Sequence, residues 1–330
     1  MCNIIISQVS GYAPSNIVSN NDLSNIVDTN DEWVFSRTGI KNRRISTGED
    51  TSDLASKVCE GLLKKDGLPP EALDLIIVAT SSPDSLVPST ACLVQANVNA
   101  VNAIAFDLNA ACTGFVYALS VAEKIMRAGP YKTAAVIGAD VLSKLVDWSD
   151  RNTCCIFGDG AGGVLLKKIT GAESFLICED LKSDGKRASS LVAKKMPVIS
   201  CWAKKNETQD VQNNYVYMAG RDIFDFALKE APKNILSALG KSGLSFDDIH
   251  LIVPHQANSR IIEAFAKKLK LGLDKFCINI EEYGNTSAAS IPLALSCLIV
   301  NGKVQLGSGQ KLILTGFGGG LTWGSIIIRV

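Results

Sequence analysis

Histidine is almost missing from this chain: there are two in 330 residues, His250 and His255. Any chemistry that needs an imidazole must use one of them. Charge of one sign is missing too, because 33 Lys and Arg stand against 33 Asp and Glu. The totals therefore carry neither a nucleic-acid footprint nor a polybasic membrane anchor, and a basic site has to be local. No apolar run nears the ~18 residues of a bilayer span; Ile291 to Val300 (IPLALSCLIV) has ten and contains Pro292. The opening MCNIIISQVSGYAPS lacks a basic segment before a cleavable apolar core and reads as strand and turn, so a cytoplasmic location is expected. The ten cysteines form no C-x-x-C pair and have no His at ligand spacing, which excludes the usual structural zinc patterns. Most are expected to be reduced core thiols, and a hydrophobic fraction of 47% is ample for a large core.

What the chain does have is a repeat. GLPPEALDLIIVATSS at Gly67 returns as GLSFDDIHLIVPHQA at Gly243, an offset of 176; AACTGFVYALSVAEKI at Ala110 resembles YGNTSAASIPLALSCL at Tyr283, an offset of 173; TAAVIGAD at Thr133 resembles KLILTGFGGG at Lys311, an offset of 178. The spacing predicts two copies of one α/β unit, over 1–170 and 171–330. Strands such as LIIVA have no polar position, so both faces must be covered by helices, and the copies should stack as helix and sheet layers with one crevice between them.

Three residues stand where that crevice is expected. Cys112 follows the strand AIAFDLNA and opens a helix, so the helix dipole should favour a thiolate, and small neighbours leave room for a carbonyl. His255 ends the strand LIVP, whereas His250 precedes it. Asn285 aligns with Cys112 at the 173 offset; it reads either as a helix cap or as an amide donor into the cavity, and a capping amide would keep only its NH₂ free. FGDGAGG at Phe157 matches G-x-G-x-x-G, but a strand follows it instead of a helix, so close backbone packing is the expected use of these glycines. Phe317 to Gly320, FGGG, offers bare backbone N–H groups.

DLNAACTGF, PHQAN, YGNTSAAS, the ending FGGGLTWGSIIIRV and DTNDEWVFSRTGIKNRRI from Asp28 resemble the β-ketoacyl-acyl carrier protein synthase III family from end to end. The resemblance implies a thiolase-like fold of αβαβα layers, a homodimer, and the decarboxylating condensation that opens type II fatty acid synthesis, with acyl-CoA and malonyl-acyl carrier protein as substrates and no resident cofactor or metal. It implies Cys112 as acyl carrier, His255 and Asn285 as donors to the malonyl enolate, and the N–H groups of Cys112 and Gly319 as a second oxyanion hole. It places Thr29, Trp33, Arg37 and Arg151 at the CoA adenine end, Gly220 and Phe224 along the pantetheine tunnel, and Arg260, Lys267 and Lys268 under the carrier protein. Val87, before Pro88-Ser89, would close the partner's acyl pocket. Two departures stand out: Asp225 where a basic residue is common, and a long stretch, Ser183 to Asn214, expected to be an exposed excursion. A condensing relative of secondary metabolism using CoA-linked substrates is the nearest rival. A non-catalytic interaction protein on the same scaffold would be expected to lose Cys112, His255 or Asn285.

Overall fold

A computed structural model describes residues 2–194, 196 and 215–330. Five strands, β1 (Cys2–Tyr12), β2 (Leu75–Ala79), β3 (Ile104–Leu108), β4 (Thr133–Val141) and β5 (Asp159–Thr170), form one sheet in the order β1-β5-β4-β2-β3. Four more, β6 (Leu176–Ser183), β7 (Leu251–Pro254), β8 (Lys311–Gly318) and β9 (Thr322–Arg329), form a second in the order β7-β8-β9-β6. Helices α1 (Thr51–Asp66) and α2 (Thr90–Asn97) cover the outer face of the first sheet. The outer face of the second is covered by α4 (Gly220–Ser242) and α5 (Ser259–Leu269). Between the sheets run α3 (Gly114–Ala128) and α6 (Ser290–Val300). The result is the expected five-layered α/β fold.

The sequence explains each layer. In β2, Leu75, Ile77 and Ala79 join the core between the sheets, while Ile76 and Val78 join the core under α1 and α2. A strand buried on both faces has no polar position to spare. The ten-residue apolar run is α6, in which residues 290–296 are all buried, so an all-round hydrophobic helix here marks the centre of a layered protein. α1 starts at an Asp50 capping box and ends at Gly67 with φ 69°; α4 ends 176 residues later at Gly243 with φ 71°.

The structure corrects one part of the repeat. The helix-opening turns are Ala111–Thr113 and Ser287–Ala289, again 176 apart. Ala111 and Ser287 share a positive φ, 47° and 49°, and their N–H groups donate to Asn109 Oδ1 (3.1 Å) and Asn285 Oδ1 (2.9 Å). Asn285 therefore corresponds to Asn109, and Cys112 to Ala288. The 173 offset fails because matching apolar helices ignores the turn ahead of them, where the register is set by backbone hydrogen bonds.

The turns are held crosswise. A Cβ on Gly138 in β4 would lie 2.2 Å from the Ala288 carbonyl oxygen, and one on Gly316 in β8, its counterpart at offset 178, would lie 3.0 Å from Thr113 Cα. Each sheet thus seats the turn from the other copy, and only glycine permits the approach. The FGDGAGG glycines allow close backbone packing: Cβ atoms on Gly158, Gly162 and Gly163 would lie 2.2 Å from Tyr283 O, 2.5 Å from Leu293 N in α6 and 2.7 Å from Val136 O on the neighbouring strand. Among the described residues, no helix is long and apolar enough to cross a membrane.

Candidate active site

Cys112, His255, Asn285, Gly319, Gly220 and Phe224 line one cavity of about 780 Å³ between the two sheets. Sequence residues from both copies meet there because the crossed turns aim at a common centre.

The Cys112 turn is tied to β9: Thr113 Oγ1 donates to Thr322 O (3.1 Å) and Thr322 Oγ1 to Ala110 O (3.0 Å). A Cβ on Gly318 would come within 2.8 Å of Cys112 Cβ and 3.2 Å of its Sγ, so this glycine, beside the expected Gly319, is the one whose missing side chain makes space over the thiol. Burial pushes the Cys112 thiol up to about 12, Asp140 adds to the rise, and a hydrogen bond from Ser287 opposes it. The expected resting thiolate is therefore not what the fold provides. Loss of water outweighs the dipole of α3, whose axis begins only after a 3₁₀ turn.

His255 is 1% exposed; its backbone N–H donates to Thr315 O (2.8 Å), its ring Nδ1 meets Ser290 Oγ at 2.6 Å, and the Phe317 ring stands edge-on at 5.3 Å. Burial lowers its basicity to about 3, which keeps the imidazole neutral at any ordinary pH. Asn285 is fixed through its backbone, donating to Ile156 O (2.9 Å) and accepting from Gly158 N (3.0 Å). Asn285 caps neither the Ser287–Ala289 turn nor α6: its side-chain oxygen accepts from Ser287 N inside that turn, whose N-cap is Thr286, and its NH₂ is left for the cavity.

Thr29, Trp33, Arg37 and Arg151 cluster beside the cavity without lining it. Arg37 and Arg151 stack on the Trp33 ring at 4.6 and 4.9 Å, and Arg151 also donates to Asp28 O (3.1 Å). Asn258, a cavity residue, donates to Arg37 O at 2.8 Å and connects the two regions.

Arg260, Lys267 and Lys268 are exposed on α5, where Ile261, Ile262 and Phe265 face inward. Val87 does not reach this cavity: it is 85% exposed on the loop before α2. Of the stretch expected to be an exposed excursion, Ser183, Gly185, Lys186, Ala188, Ser189, Ala193, Lys194 and Met196 are exposed. Within it Ser190 is buried, and the short strand Leu191–Val192 pairs with Tyr217–Met218, just beyond the stretch, at the cavity wall. Residues 195 and 197–214 of that stretch lie outside the described residues.

The sequence reading passed over Ser81, Asp140, Ser287 and Ser290. The repeated Asn-x-positive-φ turn at offset 176 is the signal that would have pointed to Ser287; Asp140 and Ser81 carry no signature of their own.

Family models describing 3-oxoacyl-[acyl-carrier-protein] synthase III match residues 106–185, and the C-terminal part of the same enzyme matches 239–330. The chain is 53% identical over 325 residues to a β-ketoacyl-[acyl-carrier-protein] synthase III of Lactococcus lactis subsp. cremoris, covering 98% of each chain. It superposes on the crystal structure of the 3-oxoacyl-[acyl-carrier-protein] synthase III of Aquifex aeolicus with a TM-score of 0.89, at 41% identity and with 100% of both chains covered. The priming β-ketosynthase of the R1128 polyketide pathway gives a TM-score of 0.89 at 29% identity, covering 99% of this chain and 96% of that one. With a relative this similar along its whole length, and with the five-layered fold and the cavity just described, the chain belongs to the β-ketoacyl-[acyl-carrier-protein] synthase III family of acyl-transferring condensing enzymes.

Proposed function

We propose that the chain opens fatty acid synthesis by condensing an acyl-CoA primer with malonyl-acyl carrier protein. The observation that carries this reading is the convergence of a buried thiol, a neutral imidazole and a free amide NH₂ on one cavity.

In the first half-reaction Cys112 Sγ attacks the primer thioester, the Cys112 proton leaves with CoA as its thiol, and an acyl-enzyme remains. The N–H groups of Cys112 and Gly319 receive the oxyanion. A thiol held up to about 12 calls for proton transfer concerted with attack, since no stored thiolate is at hand. In the second half-reaction the malonyl carboxylate departs as CO₂ and its bonding electrons pass into the thioester enolate. His255 and Asn285 donate hydrogen bonds to that oxygen. Donation to the enolate requires the His255 proton on Nε2, and the 2.6 Å pairing of Nδ1 with the Ser290 hydroxyl accommodates that tautomer with Ser290 as donor. The carbanion then displaces Cys112 from the acyl group, giving the 3-oxoacyl carrier protein and, after protonation, the free thiol.

The arginine-flanked Trp33 supports binding of the CoA nucleotide beside Thr29, with Gly220 and Phe224 along the tunnel and Arg260, Lys267 and Lys268 receiving the acidic carrier protein. Every step uses the chain's own side chains and two thioester substrates, so the reading assigns no resident cofactor or metal. It places the enzyme in the cytoplasm as a homodimer. An assay pairing acyl-CoAs with malonyl-carrier protein or with malonyl-CoA tests it: condensation with the carrier protein is expected. A preference for malonyl-CoA would overturn the donor assignment in favour of the secondary-metabolic reading.

A further inference from the structure

The internal symmetry places a carboxylate where a substrate oxyanion would otherwise sit. The strand registers make Asp140 the counterpart of Gly318: Ile77 pairs with Val136 in the first sheet, and Val253 with Leu314 in the second, which repeats the offsets of 176 and 178. Ala288 is the counterpart of Cys112. At Cys112, Gly318 leaves the space over the backbone N–H open, a Cβ there lying 3.2 Å from Cys112 N. At Ala288 the same space is filled, because Asp140 Oδ2 accepts the Ala288 N–H at 3.0 Å. The other oxygen, Oδ1, accepts from Ser81 N (2.8 Å), Ser81 Oγ (3.0 Å), Ser82 Oγ (2.8 Å) and Thr80 Oγ1 (3.1 Å). Asp140 is fully buried, and its five donors come from both copies of the repeat.

This carboxylate holds the Ser287–Ala289 turn, and the consequence reaches the chemistry. Ser287 carries a positive φ of 49° and its N–H is the partner of Asn285 Oδ1, so the turn fixes which way the Asn285 NH₂ points. Such a conformation costs of order 1–3 kcal/mol and needs surrounding structure to maintain it. The Ser81 hydroxyl, itself on Asp140, lies 3.4 Å from Ser287 Oγ, and Ser81, Ser287 and Cys112 all line the cavity. By contrast the Cys112 turn is held by Thr322 and the glycines of β8, not by Asp140.

We propose that Asp140 is a positioning residue for the decarboxylating half-reaction: by occupying the second copy's disused oxyanion hole it locks the turn that aims Asn285. The proposal rests on the condensing function argued above. It predicts a split between the half-reactions. In Asp140→Ala, malonyl decarboxylation and condensation fall on the order of 10²-fold, the scale of losing one oxyanion donor. Acylation of Cys112 by acyl-CoA, followed by intact-protein mass spectrometry, stays within a few-fold of wild type. Asn supplies one acceptor oxygen and cannot serve both Ser81 N and Ala288 N, so Asp140→Asn falls between wild type and Ala and serves as the test should the Ala variant not fold. Equal loss in both half-reactions would reduce Asp140 to a structural role, and wild-type decarboxylation would remove any role. Absence of condensation in the wild-type enzyme would instead overturn the function.

Discussion

His255 and Cys112 both owe their protonation state to burial. Neutral His255 suits an enolate donor but costs acid stability. Its folded value of about 3 lies below the ~6.5 of an unfolded chain. Between those values the unfolded state binds the extra proton, so the stability present above pH ~6.5 is lost as pH falls toward 3. His255→Gln should lose less stability on acidification than wild type over that window, read as the difference between their melting temperatures across pH; parallel curves would contradict the buried neutral state. Activity separates differently. His255→Ala and Asn285→Ala should still form the Cys112 acyl-enzyme while condensation drops ~10²–10³-fold, the cost of one preorganised donor, measured by mass spectrometry beside a condensation assay.

Among the secondary elements, glycine content divides by what lies opposite. Gly138 faces the Ala288 carbonyl at 2.2 Å from an ideal Cβ, backbone against backbone, so Gly138→Ala must push the Ser287–Ala289 turn away from β4. Overpacking of this kind costs ~1–3 kcal/mol or more, and condensation should fall with it because Asn285 rides on that turn. Gly240, inside α4 and exposed, has nothing within 4 Å of an ideal Cβ. Gly240→Ala should therefore stabilise the protein by ~0.5–1 kcal/mol, through the backbone entropy that glycine loses on entering a helix. Chemical denaturation of the two variants checks both signs. The arginine cluster has a buried footing of the same kind: Arg43 is 0% exposed and donates to Val18 O, Asn20 Oδ1 and Cys155 O, bracing the segment that carries Arg151 against the paired strands of residues 17–19 and 42–44.

Across the whole molecule, β3 is an unpaired edge of the first sheet, and Leu86, Val87, Val101 and Ile104 are exposed on either side of α2. An open strand edge bordered by apolar side chains is a ready template for pairing. A homodimer joined there would cover them and carry Val87 toward the partner. Sedimentation should give about twice 35.1 kDa, and Ile104→Asp should shift the mass toward the single chain. In such a dimer a valine would leave room that a phenylalanine fills, so Val87→Phe should move primer preference from four-to-eight-carbon acyl groups toward acetyl. Each buried methylene is worth at most ~0.8 kcal/mol. An unchanged primer profile would place the pocket's end elsewhere.

Strands without a polar position, the layered α/β fold and the gathering of Cys112, His255 and Asn285 at one crevice were legible in the sequence, because periodicity and turn chemistry are set by neighbours a few positions apart. The pairing of Asn285 with Asn109 was not, since the turn register depends on hydrogen bonds that apolar matching cannot detect. Nor was the protonated state of Cys112, which the loss of water in the interior decides against the local pull of a helix end. The crossed seating of each turn on the other copy's sheet, and the Asp140 carboxylate beneath Ala288, join residues more than a hundred positions apart. Such contacts exist only once the two sheets have closed on the central helices, so only the tertiary structure could decide them.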